Sequence, residues 1–185
     1  MIPLCKERLL ETLNNILKIS KIEAEKVEYE LNQYDLVPIL KDVIELYYPT
    51  AKFSNIDLHF DCQVDSLQSL IDPHLFRDAI SNLISNAIKF TEEGSVVLVL
   101  KEVNEKAIVE VIDTGIGIPD DRKEIIWEAF RQVSEGLGRG FEGTGLGLTI
   151  AKKYIDLLKG KIFLESKEGE GSVFTIELDK IKNTI

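Results

Sequence analysis

Six of the chain's 12 glycines fall in the 13 residues from Gly136 to Leu148. Glycine has no Cβ, so this is the least constrained stretch of the backbone. It runs straight into Thr144-Gly145-Leu146-Gly147-Leu148-Thr149-Ile150-Ala151, a sequence committed to an apolar helix. A disordered linker is the plain alternative, but linkers rarely end in such a segment. The first amides of a helix have no intrahelical partner, and behind flexible glycines they form a ready anion site. The same glycines suit the hinges of a lid.

The rest of the chain must make an acidic protein compatible with that site. Acidic residues number 32 against 22 basic ones, a formal charge of −10. That weighs against nucleic acid or an anionic membrane surface, which both need a positive footprint. A polyphosphate would need local devices: backbone amides, a few placed cations, or a metal ion. Hydrophobic residues at 44% and charged residues at 29% are ordinary for a globular domain. Cys5 and Cys62 have no metal-ligand or CxxC spacing, so reduced thiols are expected. No apolar run approaches the ~20 residues that cross a bilayer. Met1-Ile2-Pro3-Leu4 leads directly into Lys6, Glu7 and Arg8, unlike a signal peptide. A soluble, cytoplasmic chain without a membrane segment is expected, whatever anchors a larger parent.

Residues 4 to about 31 read as one helix. Leu10, Leu17, Ala24 and Leu31 recur every seven positions, and Leu13, Ser20 and Val27 fill the alternate spacing. Leu9, Ile16 and Ile19 widen the stripe toward a bundle face, which calls for a partner helix or for its own domain. Asn32–Asp35 breaks the pattern. A second helix is expected over 36–53, a strand over 56–60, and a third helix from Asp72-Pro73. Strands follow over 95–103 and 107–112, then a short helix over about 120–129. A helix over 144–158 and strands over 161–166 and 172–178 close the chain. The fold class is α+β, a two-layer sandwich with a mixed sheet. Residues 1–34 form a helical stub and linker, and 35–185 form the main domain.

Four clusters carry chemistry. On the third helix, Asn82, Asn86 and Lys89 share one face by i, i+4, i+7 spacing. Two neutral amide oxygens can complete the shell of a hard cation that keeps waters and phosphate ligands, and Lys89 can meet a phosphate. A solvated helix face is the alternative. Asp113-Thr114-Gly115-Ile116-Gly117-Ile118-Pro119 follows a buried strand. An ionised carboxylate there accepts from the exocyclic amine of adenine and repels the carbonyl of guanine; a capped turn is the alternative. Trp127-Glu128-Ala129-Phe130-Arg131-Gln132 pairs aromatic anchors with polar groups, and the glycine loop comes fourth.

This succession resembles the four nucleotide-binding boxes of sensor histidine kinase catalytic domains, in the GHKL ATPase superfamily with its Bergerat fold. The match covers about residues 56–180. Leu10–Leu36 is similar to the second helix of the kinases' dimerisation domain and its exit linker. The resemblance implies ATP and Mg²⁺ as cofactors, with Asn86 and Asn82 holding the metal. It also implies that Lys89 contacts phosphate and that Phe90 lies near the adenine. Asp113 would accept the adenine amine in a pocket shaped by Gly115 and Gly117, with Ile112, Ile118 and Leu148 as apolar neighbours. Gln132, and less directly Arg131, would reach the γ-phosphate. Gly143, Thr144, Gly145, Leu146 and Gly147 would form the lid hinge and the phosphate-facing turn. Hydrolytic cousins carry a general-base Glu where Asn82 stands, and Asn takes up no proton. The site therefore suits transfer rather than hydrolysis.

The family's acceptor is a histidine on a first dimerisation helix, which has no match in this sequence. His59 and His74 are read as structural or surface residues. The resemblance implies a histidine-bearing dimerisation domain and a response regulator as partners, with this chain a monomer or weak homodimer. A nucleotide-binding interaction module and an anti-sigma-type protein-serine kinase remain open at this point.

Overall fold

A computed structural model describes residues 2–131 and 144–181, with side chains at Leu10 and from Thr12 onward. Gln132 and Gly143, and the glycine-rich stretch between them, lie outside the described residues.

Helix α1 spans Ile2–Glu23 and stops one heptad short of the expected Leu31. The reason is a left-handed turn: Glu25 has φ 52, Glu25 N–H donates to the Ile22 carbonyl, and Lys26 N–H to the Lys21 carbonyl. Those two bonds make a Schellman stop without the usual glycine, so nothing in the sequence marked it. Val27 and Leu31 still pack against the core, but from extended chain. Ile19 is 6% exposed, and Lys18 Nζ reaches Asp78 Oδ2 at 2.6 Å. Leu10, Leu13, Ile16 and Leu17 remain exposed, Leu17 at 58%. The stripe divides: its C-terminal part docks on the domain, and Leu10, Leu13, Ile16 and Leu17 are uncovered among the described residues.

Strand β1 (Asn32–Asp35) pairs antiparallel with β3 (Gln68–Ile71), a four-residue strand with no sequence signal. Helix α2 (Leu36–Phe53) starts where Asp35 caps it, accepting from Val37 N–H at 3.0 Å and from Leu67 N–H at 3.1 Å. Burial pushes the Asp35 carboxyl up, but those amides, the Ser66 hydroxyl and Lys41 outweigh it and hold its pKa below the ordinary value. Helix α3 (Pro73–Phe90) is capped by Asp72, with Pro73 in its first turn.

Strands β2 (Ile56–Cys62), β4 (Gly94–Val103), β5 (Lys106–Asp113), β6 (Lys161–Lys167) and β7 (Gly171–Asp179) form one sheet in the order β2-β4-β5-β7-β6. Only β2 and β4 pair in parallel, so the sheet is mixed, as expected. Helix α4 (Gly147–Leu157) lies against α3 and β6. Phe76, Ile80, Leu83 and Ile84 of α3 meet Leu98, Leu100, Val109, Val111 and Ile176 of the sheet in one buried core. The short helix expected over 120–129 is two 3₁₀ turns, Asp120–Arg122 and Ile125–Trp127. A segment that short gains too few bonds to propagate an α-helix. Instead Ile126 is buried, and Trp127 meets Phe174 edge-to-face at 5.9 Å. Helix α4 begins three residues later than expected because Gly145 has φ +68.

Candidate functional site

The i, i+4 spacing on α3 places Asn82 and Asn86 on the side facing α4. A Cβ added to Gly147, the first residue of α4, would stand 3.4 Å from Asn82 Oδ1 and 3.6 Å from Asn86 Nδ2. The two amides therefore look directly onto the N-terminal turn of α4. No side chain among the described residues caps that turn. One turn further along α3, Lys89 Nζ lies 4.6 Å from the centre of the Phe90 ring. The two asparagines of the expected face oppose a helix N-terminus, while Lys89 lines a cleft with Tyr47 and Thr50 of α2.

The opposite end of α3 meets the Asp113 turn. The Phe90 carbonyl accepts from Ile116 N–H at 3.1 Å, and a Cβ on Gly115 would lie 2.3 Å from the same oxygen. Only glycine lets the turn approach the helix this closely. Along α3, Asn82 and Asn86 stand about 12 and 6 Å from Phe90, where the Asp113 turn docks.

Asp113 ends β5 with 7% exposure. Its Oδ1 accepts from Gly115 N–H at 2.9 Å. Burial raises its pKa, while Gly115 N–H and the N–H and hydroxyl of Ser172 pull the other way. A buried carboxylate with fixed donors behind it has acceptor capacity left for a ligand donor. Ile112, expected beside the base, alternates to the opposite face of β5, where Val97 and Val173 flank it.

The pocket wall is two interlocked turns. Gly117, at φ +66, would put a Cβ 2.0 Å from the Lys167 carbonyl oxygen. Gly169 N–H donates to the Ile116 carbonyl at 2.8 Å, and Ile118 N–H to Ser166 Oγ at 2.8 Å. Ser166 and Ser172 are the functional candidates that sequence reasoning passed over. They sit at ordinary alternating positions of β6 and β7, and only the pairing of those strands brings them to Asp113.

The remaining expected residues flank the segment 132–143. Leu146 is fully buried, Leu148 half-buried, and Thr144 Oγ1 accepts from Leu146 N–H at 3.3 Å. Phe130 N–H donates to the Gly145 carbonyl at 3.1 Å, and Thr149 Oγ1 to the Trp127 carbonyl at 3.0 Å. Arg131 is exposed, with Nε 3.3 Å from Glu128 Oε2. Trp127 is a packed anchor, as the sequence suggested. His59 lies on β2 with Nε2 2.7 Å from Asp57 Oδ2, and His74 is in the first turn of α3, two turns from Asn82. Among the described residues no three His, Cys, Asp or Glu side chains cluster to hold a metal, and no helix is long and apolar enough to cross a membrane.

Comparison with known proteins gives a consistent result. Residues 71–182 match the family model described as histidine kinase-, DNA gyrase B-, and HSP90-like ATPase. The chain is 36% identical over 173 residues to the circadian input-output histidine kinase CikA of Synechococcus elongatus, covering 92% of this chain and 23% of that protein. It spans about a fifth of the length of the curated relatives it matches. Full-length ShkA, solved in complex with AMPPNP, superposes with a TM-score of 0.84 at 28% identity, over 96% of this chain and 37% of that one. The catalytic domain of histidine kinase ThkA superposes with a TM-score of 0.71 at 31% identity, over 82% of this chain and 98% of that one. ThkA has also been solved in complex with the response regulator protein TrrA.

Proposed function

Since the chain belongs to the histidine kinase-, DNA gyrase B-, and HSP90-like ATPase family and matches a histidine kinase catalytic domain over 82% of its length, we propose that it binds Mg–ATP and presents the γ-phosphate to a histidine on another helix. The observation that carries this reading is the opposition of Asn82 and Asn86 to the first turn of α4, with a buried Asp113 at the far end of the same helix.

The residues present fit each part of that ligand. Asp113 accepts the exocyclic amine of adenine, which orients the base and disfavours guanine. The uncapped amides of α4 face the phosphates. Lys89 adds a positive charge beside them, and Arg131 and Gln132 are candidates for the γ-phosphate. Asn82 and Asn86 would supply neutral oxygens to a Mg²⁺ that takes its other ligands from phosphate and water. Bound there, it would neutralise phosphate charge during transfer. Asn82 cannot act as a general base for water, so the chain's contribution is positioning and charge, consistent with a transferase.

On this reading neither His59, on β2, nor His74, in the first turn of α3, is the acceptor. The reading therefore requires a histidine-bearing dimerisation domain, which the exposed stripe Leu10, Leu13, Ile16 and Leu17 of α1 would help to form. On this reading residues 1–34 belong to that domain and its linker, 35–185 form the catalytic domain, and the parent system includes a response regulator. The chain is expected to work in the cytoplasm, as a monomer or weak dimer.

The test is a calorimetric titration with a non-hydrolysable ATP analogue and Mg²⁺, with the GTP analogue in parallel. Binding of the adenine nucleotide alone is expected. Adding a dimerisation domain with its histidine, and ATP, should then yield acid-labile phosphate on that domain. No nucleotide binding would refute the reading. Binding without labelling would reduce the chain to a nucleotide-binding module, and stable label on His59 or His74 would refute the acceptor in trans.

A further inference from the structure

We propose that Ser166 is a positioning residue for adenine recognition: from β6 it fixes the Ser172 hydroxyl that orients Asp113, and so sets selectivity for the 6-amino group. This rests on the nucleotide reading above. Ser166 Oγ sits at the junction of three segments. It accepts from Ile118 N–H at 2.8 Å, donates to the Gly171 carbonyl at 2.7 Å, and lies 3.0 Å from Ser172 Oγ. Ser172 in turn, 6% exposed, stands directly opposite Asp113 in the β5–β7 ladder, and its N–H and hydroxyl both favour the ionised Asp113 carboxyl.

Counting protons gives the arrangement its direction. Each serine has one hydroxyl proton. The ionised carboxylate is the stronger acceptor for the proton of Ser172. Either oxygen could donate across the 3.0 Å contact; with the Ser172 proton given to the carboxylate, Ser172 Oγ is taken as the acceptor there, sharing the Ser166 proton with the Gly171 carbonyl. Removing the Ser166 hydroxyl leaves Ile118 N–H and the Gly171 carbonyl without this partner. It also frees Ser172 to turn away from Asp113. Gly171, at φ +101, would place a Cβ 2.0 Å from the Asp113 carbonyl oxygen, so the turn that Ser166 holds also backs onto the main chain of Asp113.

The consequence is specific to the 6-amino group. A nucleotide with purine in place of adenine lacks the amine that Asp113 accepts, and so does not use the oriented carboxylate. In the full chain, Ser166→Ala should weaken ATP-analogue binding about tenfold, the size of one lost hydrogen bond. The purine analogue should lose far less, so that the ratio of the two affinities collapses. Ser166→Thr, which keeps the hydroxyl, should restore the ratio, and Ser166→Cys, a weak donor of similar size, should fall between and serves if the alanine variant does not fold. Amide exchange at Ile118 should quicken in the alanine variant alone. Equal losses for both nucleotides, or a cysteine variant with wild-type selectivity, would overturn the proposal. If the wild-type chain itself fails to distinguish adenine from purine, the role of Asp113 fails first, and that result is visible before any variant is made.

Discussion

Replacing Gly147 by alanine should separate stability from binding. The added Cβ would stand 3.4 Å from Asn82 Oδ1, 3.6 Å from Asn86 Nδ2 and 3.8 Å from Asn82 Cγ. These are ordinary to slightly tight contacts, and Gly147 is not among the residues with positive φ. The fold can therefore take the methyl without backbone movement. A Gly→Ala change at a compatible position stabilises by ~0.4–1 kcal/mol through the unfolded chain. For a protein of this size that is a rise of about 2–4 °C in Tm at the upper end.

The same methyl occupies the space between the two asparagine amides and the first turn of α4, where phosphate and its ion would have to pack. Losing one charge-assisted contact there costs about 1.5–3 kcal/mol, or on the order of 10- to 100-fold in affinity. Gly147→Ala is expected to melt at or above the wild-type temperature and to bind the ATP analogue at least tenfold more weakly, by scanning calorimetry and titration on one preparation. Gly117→Ala is the opposing control. With φ +66 and a Cβ 2.0 Å from the Lys167 carbonyl oxygen, it must displace main chain, and should lower stability by about 2 kcal/mol or more. A Gly147→Ala protein with wild-type affinity would refute the placement of phosphate between α3 and α4. One that melts well below wild type would refute the geometry itself.

Two further outcomes follow from the carboxylates. Asp113 has its folded pKa above the ordinary 3.8, so the folded state holds its proton more tightly than the unfolded chain, and stability contributed by this group is lost as pH rises from 3.8 through that raised value. Asp113→Asn should therefore be as stable as wild type or more so at pH 7 by thermal melting, yet lose preference for adenine over guanine nucleotides; a strongly destabilised variant would contradict the cost assigned to burying this charge. Asp35 is the reverse case: its folded pKa is lowered, so its contribution is present above 3.8 and lost as pH falls through the folded value. Asp35→Ala should cost about 1 kcal/mol or somewhat more in urea unfolding at pH 7, since both an α2 cap and the partner of Leu67 N–H disappear, and the deficit should vanish in strong acid.

The parts of this molecule that were legible in the sequence are those written in local chemistry. Asp72-Pro73 announces α3 because cap and first-turn proline act within four residues, and the alternation of Ile56–Phe60 declares the half-buried strand β2. The spacing of Asn82 and Asn86 was enough to put two amides on one face, since helical geometry alone fixes that. What was not legible depended on contacts across the chain. The stop of α1 at Glu23 uses a non-glycine left-handed residue, which carries no compositional mark. Strand β3 exists because β1 is there to pair with it.

The site divides along the same line. Asp113 was visible because an acid at a strand end before two glycines is unusual wherever it occurs. The serines behind it were not, because a serine on a strand is ordinary until the register of β7 against β5 sets Ser172 opposite Asp113, and that of β6 against β7 sets Ser166 opposite Ser172. On the reading proposed above, the groups that would meet a ligand are marked by local sequence, while the groups that would aim them are common residues made specific by strand pairing. A search for what tunes this pocket should accordingly follow the sheet register outward from Asp113 rather than the motifs along the chain.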